Sequence, residues 1–140
     1  MTRVTLFSWI LVVCGFTQAQ KKALKINVTN IKQLQGSIMV AVYDQKEKFL
    51  SQQVVTSTKQ AVVNNQMSIV LDDLNFGDYA ISIYHDVNGN GELDFNFFKI
   101  PKEPYGFSNN SMGFFNSPPN YDKALFAFGA HMDEIEIRLN

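Results

Sequence analysis

From Leu24 onward the chain alternates apolar and polar residues with a period of two: Leu24, Ile26 and Val28 fall on one face, Lys25, Asn27 and Thr29 on the other. That pattern predicts a half-buried β-strand. It returns at Ile38, Val40 and Val42, at Met67, Ile69 and Leu71, at Tyr79, Ile81 and Ile83, and at Ile135, Ile137 and Leu139, with one more strand suggested by Phe126 and Phe128. Turn signals separate these runs at Gly36, Asn64-Asn65, Phe76-Gly77-Asp78, the double Asn-Gly run at 88–91 and Gly129. No window of ten residues carries a 3.6-residue period, although Gln45 to Gln53 admits a short helical turn. Short strands with turns between them predict an all-β fold, a single antiparallel β-sandwich of transthyretin-like or immunoglobulin-like kind. Tyr79, opening its strand after a glycine and an acidic residue, is the expected tyrosine of a sandwich corner.

The alternation stops between Phe95 and Tyr121, where Phe95, Phe97, Phe98, Tyr105, Phe107, Phe114, Phe115 and Tyr121 crowd a segment with four prolines. A loop of this length is either functional or disordered, and so many rings argue against disorder. It is expected to fold back over the sandwich end and shield the turn that precedes it. Two roles compete for its rings: packing as a lid, or a ligand surface in which Tyr105, Phe107 or Phe115 stacks on a sugar or another ring. Ser108-Asn109-Asn110-Ser111 would either lend carbonyl ligands to a cation or cap a turn.

The run Asp86-Val87-Asn88-Gly89-Asn90-Gly91-Glu92-Leu93-Asp94 sets oxygen-bearing side chains at alternate positions around paired glycines. Calcium takes six to eight oxygen ligands, and loops that wrap it use alternate side chains, a carbonyl at position 7 and a glycine at position 6. Asp86, Asn88, Asn90, Glu92 and Asp94 occupy those slots, so Ca²⁺ is the cofactor the pattern implies. The twelfth position, where a bidentate Glu closes the shell, is Phe97. Affinity is therefore expected in the weak range of about 10⁻⁴ to 10⁻³ M, unless Glu103 or Asp122 supplies the missing acid. Asn-Gly pairs also close tight turns with no metal, and the sequence leaves both readings open.

At the N-terminus Arg3 precedes an apolar stretch from Val4 to Val13, followed by Thr17-Gln18-Ala19 with small residues suited to a signal peptidase. Residues 1–19 read as a cleaved export signal and 20–140 as one β-sandwich domain. The expected destination is the periplasm or the extracellular space. The apolar core is too short to span a bilayer, and Val13 before Cys14 fits a lipoprotein poorly. Cleavage would remove the one cysteine and Arg3, leaving eleven Lys and Arg against thirteen Asp and Glu, a net charge of −2. A disulfide framework is then excluded, and the interspersed charge gives nucleic acid no basic face.

Enzymatic signals are sparse. Only His85 and His131 are available, no Gly-x-Ser-x-Gly elbow occurs, and zinc would lack thiols and clustered imidazoles. His85 beside Asp86 is the one pair suited to metal-assisted hydrolysis; otherwise His85 donates a hydrogen bond into the loop. The leading expectation is a non-catalytic module, with an envelope glycan or protein as the alternative partner class.

Gly77-Asp78-Tyr79, then His85 through Asp94, then Ile100-Pro101-Lys102-Glu103-Pro104-Tyr105-Gly106-Phe107-Ser108-Asn109-Asn110 together resemble the exported bacterial family known as domain of unknown function 2141. The resemblance implies a small exported β-sandwich without an established activity. It further suggests that the acidic loop and the Pro-Tyr-Gly-Phe segment form one feature.

Overall fold

The computed structural model describes residues 20–140; the expected export signal, Cys14 included, lies outside the described residues. Eight strands follow in order: β1 (Lys21–Thr29), β2 (Ser37–Tyr43), β3 (Thr56–Ala61), β4 (Met67–Asn75), β5 (Gly77–Asp86), β6 (Tyr105–Phe107), β7 (Phe126–Phe128) and β8 (Glu134–Arg138). A one-turn helix, α1 (Tyr121–Ala124), precedes β7, and 3-10 turns occupy Lys46–Lys48, Ser108–Asn110 and Phe114–Asn116.

The strands form two sheets, β4-β1-β8 and β3-β2-β5-β6, with β7 also pairing β5. Their inner faces are the alternating apolar positions: Leu24, Ile26, Val28, Ile69 and Ile137 from the first meet Ile38, Val40, Val42, Ile81 and Ile83 from the second in one buried cluster. Each such side chain contributes roughly 1.5–3 kcal/mol when taken out of water, which makes this aliphatic layer the main support of the fold. The sandwich expectation holds with one correction: β1 and β8 pair in parallel. A parallel pair needs a long connection rather than a hairpin, and nearly the whole chain runs between these two strands.

Phe76 alone separates β4 from β5, so the chain crosses between sheets at that corner. The Tyr79 hydroxyl donates to the Asn75 carbonyl at 3.0 Å, closing it as the sequence implied. A second cluster covers the outer face of the larger sheet, where Tyr43, Ala80 and Phe107 pack with Tyr121 and Ala124 of α1. Phe49 sits among them, with its ring centroid 5.4 Å from Tyr43 and 5.7 Å from Tyr121. At the sandwich edge β6 passes so close to β8 that a Cβ at Gly106 would lie 2.5 Å from the Arg138 carbonyl oxygen, so no larger residue fits without displacing backbone.

Candidate functional site

The antiparallel ladder fixes Asp86 as the last residue of β5, opposite Ser37 of β2 and completely buried. Its carboxylate turns into the loop that follows and accepts the N–H groups of Gly89 (2.8 Å) and Gly91 (3.0 Å), while Lys59 on β3 places its ammonium 3.9 Å away. Both glycines have positive φ, +76° and +81°, a conformation that costs glycine nothing and other residues about 1 kcal/mol or more. The Asn88 side-chain oxygen accepts from Asn90 N–H (3.0 Å), and that of Asn90 accepts from Glu92 N–H (2.8 Å). Their amide nitrogens point at Asp94: Asn88 Nδ2 donates at 2.6 Å, and Asn90 Nδ2 lies 3.3 Å from both carboxylate oxygens. The Glu92 side chain is exposed.

Glu103 joins the two ends of the loop. Nearly buried, it accepts from Val87 N–H (2.9 Å) with one oxygen and from Asp94 N–H (3.2 Å) with the other. Two further backbone bonds, His85 N–H to Pro104 (2.8 Å) and Lys102 N–H to Asp94 (2.8 Å), lace the loop to the segment leading into β6. The acidic loop and the Pro-Tyr-Gly-Phe segment are thus one construction with Glu103 as its clasp. Asp122, the other acid considered, pairs with Lys46 at 2.7 Å on α1 and takes no part in the loop's bonding.

Tyr84, which sequence reasoning did not single out, belongs to the site: its hydroxyl donates to the Gly91 carbonyl at 2.9 Å. Period two puts it on the same face of β5 as Asp86, and that was the available signal. Burial first, then the negative charges of Asp86, Glu103 and Glu92, push the Tyr84 phenol above its ordinary value. The ring therefore stands in the anionic field of the loop.

Whether these residues suit a hard cation follows from their donors. All are oxygen, as Ca²⁺ requires, and an amide or carboxylate oxygen that accepts one N–H retains another lone pair. Phe97, at the closing position, has 94% of its surface exposed and offers no ligand. Among the described residues no three carboxylate, imidazole or thiol side chains form a group able to hold a metal. A cation here would have to draw on the amide oxygens of Asn88 and Asn90 and on backbone carbonyls, which fits a weak oxygen-lined site and excludes a tight all-carboxylate one.

His85 corrects an expectation. Its ring faces the sandwich interior and Nε2 lies 2.7 Å from the Gln35 carbonyl, so the bond goes to the connection between β1 and β2 rather than into the loop. Its Nδ1 is buried without a partner. Both His85 and Asp86 have zero exposure, so the pair proposed for metal-assisted hydrolysis does not face solvent. His131 lies in the turn before β8.

The aromatic segment divides instead of closing as a lid. Phe107 is only 3% exposed and is part of the outer-face cluster, which removes it as a stacking ring. Tyr105 is half-buried and donates to the Asn116 carbonyl. Phe115, by contrast, is 90% exposed, as are Phe97, Phe98 and Phe114 for most of their surface, so these rings do not shield the acidic loop. The polar run beside them caps and fastens: Ser108 Oγ accepts from Ile81 N–H (2.9 Å) and donates to Ala124, Asn109 donates to Lys123 and Leu125 carbonyls (3.1 and 2.9 Å), and Asn110 accepts from Arg138 N–H (2.7 Å). None of these five contacts reaches the acidic loop. Between loop and sheet lies a cleft of about 430 Å³, floored by Ser82, Tyr84, Tyr105 and Phe107 and walled by Leu93, Phe95, Lys99 and Pro118.

Residues 26–136 match the model of a family described as "Uncharacterized protein conserved in bacteria (DUF2141)". No curated protein and no solved structure matches the chain.

Proposed function

The chain belongs to this bacterial family of unknown function, and from that premise we propose that it is an exported, non-catalytic β-sandwich module whose Asp86–Asp94 loop binds Ca²⁺. The carrying observation is the clasp. Asp86, Asp94 and Glu103 are bound into one loop at the end of a rigid strand, where, among the described residues, N–H groups and one ammonium 3.9 Å distant offset their charge. A divalent cation would relieve the remaining repulsion and draw Asn88 and Asn90 oxygens inward. Residues 1–19, with their short apolar core, support export.

Binding at about 0.3 mM would stabilise the folded chain by about 2 kcal/mol at 10 mM calcium. The melting temperature is accordingly expected to rise by several degrees on adding calcium. Asp94→Asn, which preserves shape and removes one charge, should erase most of that rise. Equal melting curves with calcium and with a chelator would end the reading.

A second reading rests on the cleft. Its tyrosine and phenylalanine floor, with the Ser82 hydroxyl among the lining groups, suits a ring-bearing ligand such as an envelope glycan. Of the three rings named from sequence, Tyr105 alone lines the cleft with part of its surface exposed. A glycan array should return hits that Tyr105→Ala weakens, and an array without hits would remove this reading.

A further inference from the structure

Two turns of the aromatic segment are built to hold phenylalanine rings away from the protein. In the first, Phe95 to Pro101, the Asn96 side-chain oxygen accepts from Phe98 and Ile100 N–H (2.9 and 3.0 Å). Backbone bonds from Asn96 to Ile100 and from Lys99 to Asn96, both 2.9 Å, close the loop. Phe97 and Phe98 are left 94% and 78% exposed. In the second, Gly113 N–H donates to Ser117 (2.8 Å) and Ser117 N–H to Phe114 (3.1 Å), leaving Phe114 and Phe115 82% and 90% exposed. Phe115 itself has φ +51°, a conformation unfavourable for a bulky residue. Tyr105 of β6 donates to Asn116 of the second turn, and Asn116 lines one cleft together with Ile100 and Pro101 of the first, so the two turns are neighbours.

Exposed apolar rings carried on ordered turns mark a binding surface rather than unfinished packing. The neighbouring charge says of what kind. Lys99 and Lys102 are exposed beside the first pair, whereas Asp94 and Glu103 have their carboxylates occupied by N–H groups of the loop. Rings at the tips with ammonium groups beside them match the layering of an anionic bilayer surface, acyl region below and phosphates above. We propose that Phe97, Phe98, Phe114 and Phe115 insert into the interface of an anionic membrane while Lys99 and Lys102 meet its phosphate groups.

The surface is independent of cation binding by the acidic loop, and its test is run with chelator present. The only tryptophan, Trp9, is replaced by Phe in the full chain, and Phe98→Trp then reports the first turn alone. Vesicles containing phosphatidylglycerol should shift this emission to the blue and let brominated acyl chains quench it. Phosphatidylcholine vesicles, or Lys99→Glu with Lys102→Glu, should need about tenfold more lipid for the same change. Because the probe sits on the turn, attachment through residues 1–19 cannot imitate the result. An emission that stays at its aqueous position on saturating anionic vesicles would overturn the proposal and leave a protein partner as the occupant of these rings.

Discussion

The acidic loop and the phenylalanine turn directly after it are built from the same devices with opposite results. Both close through asparagine side chains that accept backbone N–H groups, and both include left-handed residues, Gly89 and Gly91 in one and Lys99 in the other. In the acidic loop the side chains of Asp86, Asn88, Asn90 and Asp94 are spent on the loop itself. In the following turn Asn96 alone does that work, and Phe97 and Phe98 are left in water. A turn that folds through one polar residue frees its neighbours for something outside the molecule.

The sharpest way to break the comparison is to exchange an inward ring for an outward one. Phe107→Ala should cost about 3–5 kcal/mol in chemical denaturation, since the ring is buried in the outer-face cluster. Next comes the clasp. Glu103→Ala leaves the Val87 and Asp94 N–H groups without acceptors and should cost about 1–3 kcal/mol. Hydrogen exchange at those two amides should accelerate while the β2–β5 ladder stays protected. Gly91→Ala should cost about 1 kcal/mol, because φ is +81° and nothing lies near the added methyl. Smallest is Phe115→Ser, expected to change stability by no more than about 0.5 kcal/mol; a large loss there would mean that the outward rings support the fold after all.

Legibility followed the same division. Every strand with alternating apolar residues was readable, because period two is imposed by a buried face. Strand β3, Thr-Ser-Thr-Lys-Gln-Ala, was not, since it lies at the sheet edge with little buried surface and leaves no hydrophobic trace. Strand β6 was missed for another reason: its three residues pair with Ser82, Ile83 and Tyr84 through long-range contacts that no local pattern announces. The parallel pairing of β8 with β1 was hidden likewise, because alternation shows a strand's face and not its direction.

Within the site, the loop's oxygen-bearing residues could be named from spacing, whereas Glu103 stood only as one of two candidate acids beside Asp122, and Tyr84 entered only through the face it shares with Asp86. The fate of the rings was not legible. Phe107 and Phe115 are chemically equal and eight residues apart, and the ladder to β5 buries the first while a left-handed turn expels the second. His85 was misassigned because its adjacency to Asp86 in sequence becomes, on a strand, opposition across the sheet.

Isothermal titration of the protein with calcium chloride bears most directly on the loop. The account predicts a single saturable transition with a dissociation constant of about 10⁻⁴ to 10⁻³ M, abolished by Asp94→Asn. Heats no larger than dilution, or an identical isotherm from the variant, would contradict it.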